Sequence, residues 1–435
     1  MNKANALALM LAAVASLLAP AVSAGLSGTW ELESAYNSHQ REAQKLESLL
    51  DLEWNSTIGD DSYLTAIGRL RLDREQQLRV SGERADSYSP INGPSWVGDH
   101  GELSLRELYL DSEWAGAVWR LGKQQVVWGE ADGLKVLDQV NPQSFREFIL
   151  DEFDDSRIPT WMINAEFAVD EASSLQLLWI FDTTYHELAS FGSAYAVTRP
   201  ASIPTPPAGI SLQLLPAVVP DDPLQDSELG LRYSAFIEGW DLTLNYLYHY
   251  NDFPVLYRSL QGSTLLLQPE YERSHLLGGS LSNSFGELTL RAEIGFNSDS
   301  FFISRDLSQR GIANSGELSS VIGLDWHGLR DTLLSAQWFQ SHLLDHTPAI
   351  VRDRTEHSLS LLYERTFANQ TWTFKTLVLQ SLNDKDGLVR PKLTFNVQSS
   401  LDLWLGADVF YGNRQGLYGQ FDDQDRILIG MELGF

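Results

Sequence analysis

The chain has 435 residues, a formal net charge of −27 and no cysteine. The missing thiols exclude disulfides, thiolate metal sites, covalent haem attachment through Cys-x-x-Cys-His and thiol catalysis. The acidic balance argues against a nucleic-acid partner, and the slightly negative mean hydropathy suits strands with alternate faces rather than membrane helices.

At the N-terminus, Lys3 precedes an Ala/Leu-rich run from Ala6 to Ala19, and Val22-Ser23-Ala24 offers small residues for cleavage. The pattern predicts a signal peptide over 1–24, removed near Ala24 so that the mature chain starts at Gly25. No later stretch supplies the roughly 20 consecutive apolar residues of a helical span, so any membrane crossing falls to strands. Residues 25–435 then read as one domain.

Period-2 runs predict strands at 26–37, 44–58, 62–74, 102–113, 115–129, 159–168, 174–183, 226–237 and 240–252. The second half adds 271–284, 287–298, 316–326, 330–342, 355–367, 371–383, 387–397, 400–412 and 424–435. Connections mostly alternate between short turns, such as Glu238-Gly239 and Phe285-Gly286, and long loops at 75–101, 130–158, 184–225, 253–270, 299–315, 343–354 and 413–423. Asp384-Lys385-Asp386 is short where a long loop is due, and the first strand pair is weakly patterned. About eighteen strands with long loops at one end predict an all-β fold, a closed antiparallel transmembrane barrel with short periplasmic turns and long extracellular loops.

Phase within each strand assigns the faces. Leu288, Leu290, Ala292, Ile294 and Phe296 are expected toward lipid, as are Leu403, Leu405, Ala407 and Val409, and Trp372, Phe374, Thr376 and Val378. Trp240, Trp326 and Trp372 near the short turns, and Tyr248, Tyr250 and Tyr411 near the long loops, read as interfacial girdles. The last strand alternates Ile427, Ile429, Met431, Leu433 and Phe435 with Arg426, Leu428, Gly430, Glu432 and Gly434, greasy on one face and mixed on the other. Two residues resist the pattern: Pro391 inside a strand predicts a bulge or a later start, and Lys123, in phase with Trp119 and Leu121, predicts a bulge or phase shift.

The predicted lumen carries both signs of charge. Arg69, Arg71, Arg106, Arg120, Arg232, Arg291, Lys375, Arg390, Lys392 and Arg426 are the basic candidates, and Glu166, Glu228, Glu293, Asp325, Glu364, Asp402, Asp408 and Glu432 the acidic ones. They form either a transverse field along a solute path or salt-bridged struts. Loop 130–158 mixes Val136, Leu137, Val140, Phe145, Phe148, Ile149 and Phe153, at partly helical spacing, with many carboxylates, so it either folds inward as a constriction or lies across the mouth. The proline-rich loop 184–225 carries Pro200, Pro204, Pro206, Pro207, Pro216, Pro220 and Pro223; it reads as a lid or plug, as a partner or membrane-surface contact, or as disorder.

Arg120-Leu-Gly-Lys-Gln-Gln-Val-Val-Trp-Gly-Glu130, followed by Asp138-Gln-Val-Asn-Pro142, resembles the signature of the outer-membrane barrels called domain of unknown function 1302. It is similar, more distantly, to the alginate-export porins. Lys123 stands where that family usually has arginine. The resemblance implies an outer-membrane channel moving hydrophobic or polyanionic compounds, with Gln124, Trp128, Gly129, Glu130, Asn141 and Pro142 as motif residues. Physically, Gly129 allows close backbone passage, Trp128 suits an interfacial anchor, and Glu130 with Asn141 suit pinning of an inward loop.

Other classes fare less well. His249, His275 and His357 have no nucleophile or acid at an informative spacing, and the residue after His342, in His342/His346, is leucine rather than the glutamate of a zinc protease. The runs Asp151–Asp155 and Asp422–Asp425 read as solvated surface charge in preference to calcium sites. The expectation is a non-enzymatic channel in a Gram-negative outer membrane, with no cofactor or metal and with lipid and lipopolysaccharide around it. It would pass a small-molecule or polymer solute, passively or with periplasmic or inner-membrane export partners. A surface receptor or structural barrel is the alternative, and an outer-membrane hydrolase the last choice.

Overall fold

Alternation of side chains across each strand has one global solution when one face is apolar all the way round: the sheet must close on itself, leaving no edge to be solvated by hydrocarbon. The structure, a computed structural model, describes residues 25–78, 87–131, 133–204, 206 and 208–435. The leader expected over 1–24 lies outside these residues, as does Pro207.

Eighteen strands make the wall. The first nine are β1 (Leu26–Asn37), β2 (Glu42–Ile58), β3 (Ser62–Asp73), β4 (Gly101–Trp114), β5 (Ala117–Gln124), β6 (Thr160–Asp170), β7 (Ser173–Ile180), β8 (Glu228–Ile237) and β9 (Trp240–Tyr250). Then come β10 (Arg273–Phe285), β11 (Leu288–Ile303), β12 (Ile312–Trp326), β13 (Thr332–Leu343), β14 (Thr355–Phe367), β15 (Trp372–Ser381), β16 (Asp386–Gln398), β17 (Leu401–Tyr411) and β18 (Arg426–Gly434). Each pairs antiparallel with the next, and β1 pairs with β18 from Thr29 opposite Gly434 to Asn37 opposite Arg426. Phe435 completes the seam: Gly28 N donates to its carbonyl at 2.9 Å and its N–H returns the bond to Gly28 O at 3.0 Å. The weakly patterned first pair is therefore a full part of the ring, β1 being held on both sides.

Turn chemistry sets the short end. Glu238 and Gly239 adopt φ of 50° and 88°, the two left-handed residues of a type I′ hairpin whose twist matches the flanking strands. At the long end, loops build structure of their own: Val255–Gln261 and Thr264–Glu270 form a hairpin on which Ser211–Leu214 pairs in parallel.

The outer face is apolar. Leu244, Leu277, Ile294, Leu405 and Ile429 are all more than half exposed on it, and Trp240, Trp326 and Trp372 sit beside the short turns. Burial lies inside the barrel instead, where loop residues Val126, Trp128, Val136, Leu137 and Val140 pack on Met162, Leu178, Ile180, Leu247, Leu276, Val321 and Phe339 of the wall. A second cluster joins Phe148, Leu150 and Tyr195 of the loops to Leu379, Leu388 and Phe410 of β15–β17.

Three local expectations are corrected. Lys123 marks no bulge: the β5 register with β4 and β6 runs unbroken. Lys123 keeps the outer phase and is buried because residues around Asn92 cover it, its Nζ donating to Asn92 O at 3.3 Å and Leu105 O at 2.6 Å. The irregularity falls one strand pair away, between Ile67 and Gly68 of β3. Pro391 neither delays nor ends β16; it pairs with Thr376 on β15, while on the β17 side the ladder skips Arg390 and Pro391, where proline has no N–H to give. Loop 130–158 holds one short helical turn, Phe153–Ser156, because its apolar spacing serves two opposite walls and not one helix face.

Candidate solute path

The inward loop starts where β5 ends. Gln124 Nε2 donates back to Arg120 O at 3.0 Å, closing off the strand, and the chain turns into the lumen. Asn141 then ties both ends of the loop together: its Oδ1 accepts from Val126 N at 2.7 Å, and its Nδ2 donates to Ile158 O and Thr160 Oγ1, each at 3.1 Å. Pro142 supplies its carbonyl to Ile158 N at 2.8 Å. Trp128 lies inside the barrel, not at a membrane interface. It is 1% exposed, with Nε1 donating to Gln176 Oε1 at 2.9 Å, and a Cβ at Gly230 would meet its ring at 2.9 Å. Gly129 passes the returning strand of the loop so closely that a Cβ would lie 3.2 Å from the Asp138 backbone nitrogen.

From there the loop crosses to the far wall. Glu293 on β11 accepts from the backbone N–H of Glu130 and of Leu137, and Arg291 donates to Glu130 O. Glu130 thus holds the loop through its main chain, not its side chain. At Gly133 the loop meets β14 and β15, a Cβ there falling 2.8 Å from Leu379 Cδ2. Burial of Val136, Leu137 and Val140 on the wall stabilises this half by about 1.5–3 kcal/mol per side chain.

The returning half is held by charge. Glu147 receives Lys45 of β2 at 2.7 Å, Arg426 of β18 at 2.8 Å and Arg146 at 2.9 Å, all four groups buried. Burial alone would push its carboxyl up, but the three cations hold it well below the ordinary carboxylate range. Asp151 nearby is pushed up to about 6 by burial and by Glu147. Arg390 donates to Leu150 O at 2.5 Å, and Arg157 closes on Asp138 at 2.9 Å. Asp155 bonds Arg69 at 2.6 Å, which holds its carboxyl low against burial. Asp155 is therefore an inward anchor, whereas Glu152 and Asp154 of the same run are exposed, and the Asp422 and Asp423 side chains pair with exposed Arg414.

Most lumen cations are struts. Arg69 pairs with its cross-strand neighbour Asp51 at 2.6 Å, Arg71 with Glu102 at 3.3 Å, Arg120 with Asp111 at 2.7 Å, Arg291 with Asp325 at 2.9 Å and Arg390 with Asp408 at 2.8 Å. Arg106 donates to Asp154 O, and Arg232 to Val127 O at 3.1 Å. Arg69, Arg71 and Arg106 thus have donors engaged. Lys375 and Lys392 form an ion pair with no described residue. Part of the second long loop also turns inward, where Tyr195 is fully buried with its hydroxyl donating to Gln44 at 3.1 Å, while Leu214, Val218 and Leu224 farther along are more than half exposed.

The sequence reading missed Lys45, Asp51, Arg146, Glu147 and Arg157. The Arg146-Glu147 pair, set inside an apolar stretch, was the available signal, since charge there needs a buried partner.

A family model described as protein of unknown function (DUF1302) matches residues 74–435. The chain belongs to the DUF1302 family. Its motif is the stretch that leaves β5 and enters the lumen, so the signature of this DUF1302 chain marks the root of the inward loop. No curated protein matches. Among solved structures, the DUF1302 barrel is similar to Acinetobacter baumannii OccAB2, at 12% identity and a TM-score of 0.53, covering 95% of this chain and 98% of that one. It is also similar to Pseudomonas aeruginosa OccK5 (OpdH), at 11% identity and a TM-score of 0.52, covering 94% and 96%. At such identities the likeness is one of fold: a closed antiparallel outer-membrane porin barrel.

Proposed function

We propose that this DUF1302 barrel is an outer-membrane channel that passes a small solute through a lumen narrowed by residues 125–159, and that it does so without catalysis. The observation that carries the reading is the inward loop itself. It runs from β5 to Glu293 and Leu379 on the far wall and returns to Glu147, held by apolar packing on one side and buried charge pairs on the other. A solid structural barrel needs no such ordered crossbar, whereas a selective passage needs one held to a fixed shape. The narrowing supports small solutes, amphipathic or anionic, over a polymer. Residues 1–24 would serve as the cleaved export signal, and the long-loop end would face outward.

Planar bilayers test this. The wild type should give small discrete conductance steps that grow at least twofold when residues 134–150 are deleted. Asp138→Asn, which loosens the Arg157 tether without shortening the chain, should give intermediate steps. Bilayers that stay closed with all three proteins would overturn the channel in favour of a receptor or structural barrel.

A further inference from the structure

Several lumen cations of this chain face a carboxylate in direct register on the neighbouring strand, whereas two lysines face each other. Arg69 stands directly opposite Asp51, Arg71 opposite Glu102, Arg120 opposite Asp111 and Arg426 opposite Asp408 on the neighbouring strands. Lys375 of β15 stands directly opposite Lys392 of β16, and the next inward pair toward the short turns is Thr373 opposite Thr394. Like charges in direct cross-strand register destabilise a sheet. Here neither ammonium is neutralised by an ion pair among the described residues, although Glu364 on β14 is register partner to Lys375. Lys392 rests over the Trp404 ring, its Nζ 4.6 Å from the centroid, which orients the ammonium without consuming its hydrogen-bonding capacity. All four residues of the patch are half-buried, and the patch lies on the short-turn side of the point where Gly133 meets Leu379.

We propose that Lys375, Lys392, Thr373 and Thr394 form a binding station for an oxyanion group, a carboxylate or a phosphate, on the inner wall just below the crossing loop. Two ammonium groups and two hydroxyls on adjacent strands are donors within one patch for an acceptor-rich group, and its arrival would offset the repulsion between the two lysines. That the oxyanion belongs to a permeating solute rests on the channel reading; that it binds does not.

The test is calorimetric titration of the detergent-solubilised full chain with inorganic phosphate and, separately, with sodium acetate. Saturable binding of at least one anion is expected, weakened at least tenfold in the double variant Lys375→Gln/Lys392→Gln and unchanged in Lys385→Gln, whose side chain is exposed in the turn between β15 and β16. Tighter binding of acetate assigns a carboxylate, tighter binding of phosphate a phosphate. Each single variant should show partial weakening, which preserves the test if the double variant fails to fold. Absence of saturable heat with both anions in the wild type, or undiminished binding without the two lysines, overturns the proposal. No current is measured, so a closed bilayer would sink the channel without touching this station.

Discussion

Asn141 shows what one side chain does when both of its polar ends are used. Its amide bridges Val126, Ile158 and Thr160 in a buried setting, so Asn141→Leu leaves three backbone or hydroxyl groups unpaired. A loss of about 2–3 kcal/mol is expected, read from urea unfolding in lipid, because stranded buried donors and acceptors forfeit their solvation. Asp151 gives a pH signature. A carboxyl held near pH 6 when folded and near its ordinary value when unfolded binds its proton more tightly in the folded barrel. Its cost is absent below the unfolded value, grows as pH rises from there to about 6 and is constant above it. Asp151→Asn should thus stabilise the barrel at pH 8, on the order of 2–3 kcal/mol, and change little at pH 4. Paired unfolding curves at the two pH values check this. None of these partners was legible in the sequence, since Glu147 and Arg426 lie 279 positions apart and only closure of the ring brings them together. Trp128 was misplaced for a similar reason: an aromatic at a strand end reads alike whether the chain continues outward or turns in.

Strands were the legible elements, because a period of two survives any register. Their alternation predicted Leu288 to Phe296 outward with Arg291 and Glu293 inward, and the paired register of β10, β11 and β12 agrees. The loop was legible as too apolar for water, but not in its course, which depends on which walls lie across from it. Its two halves are held by different physics, and substitution should separate them. Glu147→Gln leaves Lys45, Arg146 and Arg426 buried with one anion fewer; breaking such a cluster costs about 3–5 kcal/mol. The returning half should come free, with single-channel current becoming noisy and larger. The first half, packed through Leu137 and Val140, should stay in place, and proteolysis of the variant should cut within 143–157 and spare 126–140.

At the scale of the whole molecule, the two faces of the wall should answer differently to the same chemistry. Ile429 is 63% exposed on the outer face, and Ile429→Lys should cost about 2–4 kcal/mol in lipid. Glu432→Lys on the inner face of the same strand should cost far less, and refolding into vesicles measures both. The seam between β1 and β18 has a temporal consequence too. A nascent polypeptide emits the first staves hundreds of residues before the last, and until Phe435 reaches Gly28 every partial assembly carries two bare rims. Such rims are sticky, so a chain stopped short of its final strand should cling to its neighbours through them, and that hazard ends only when the last stave is in place.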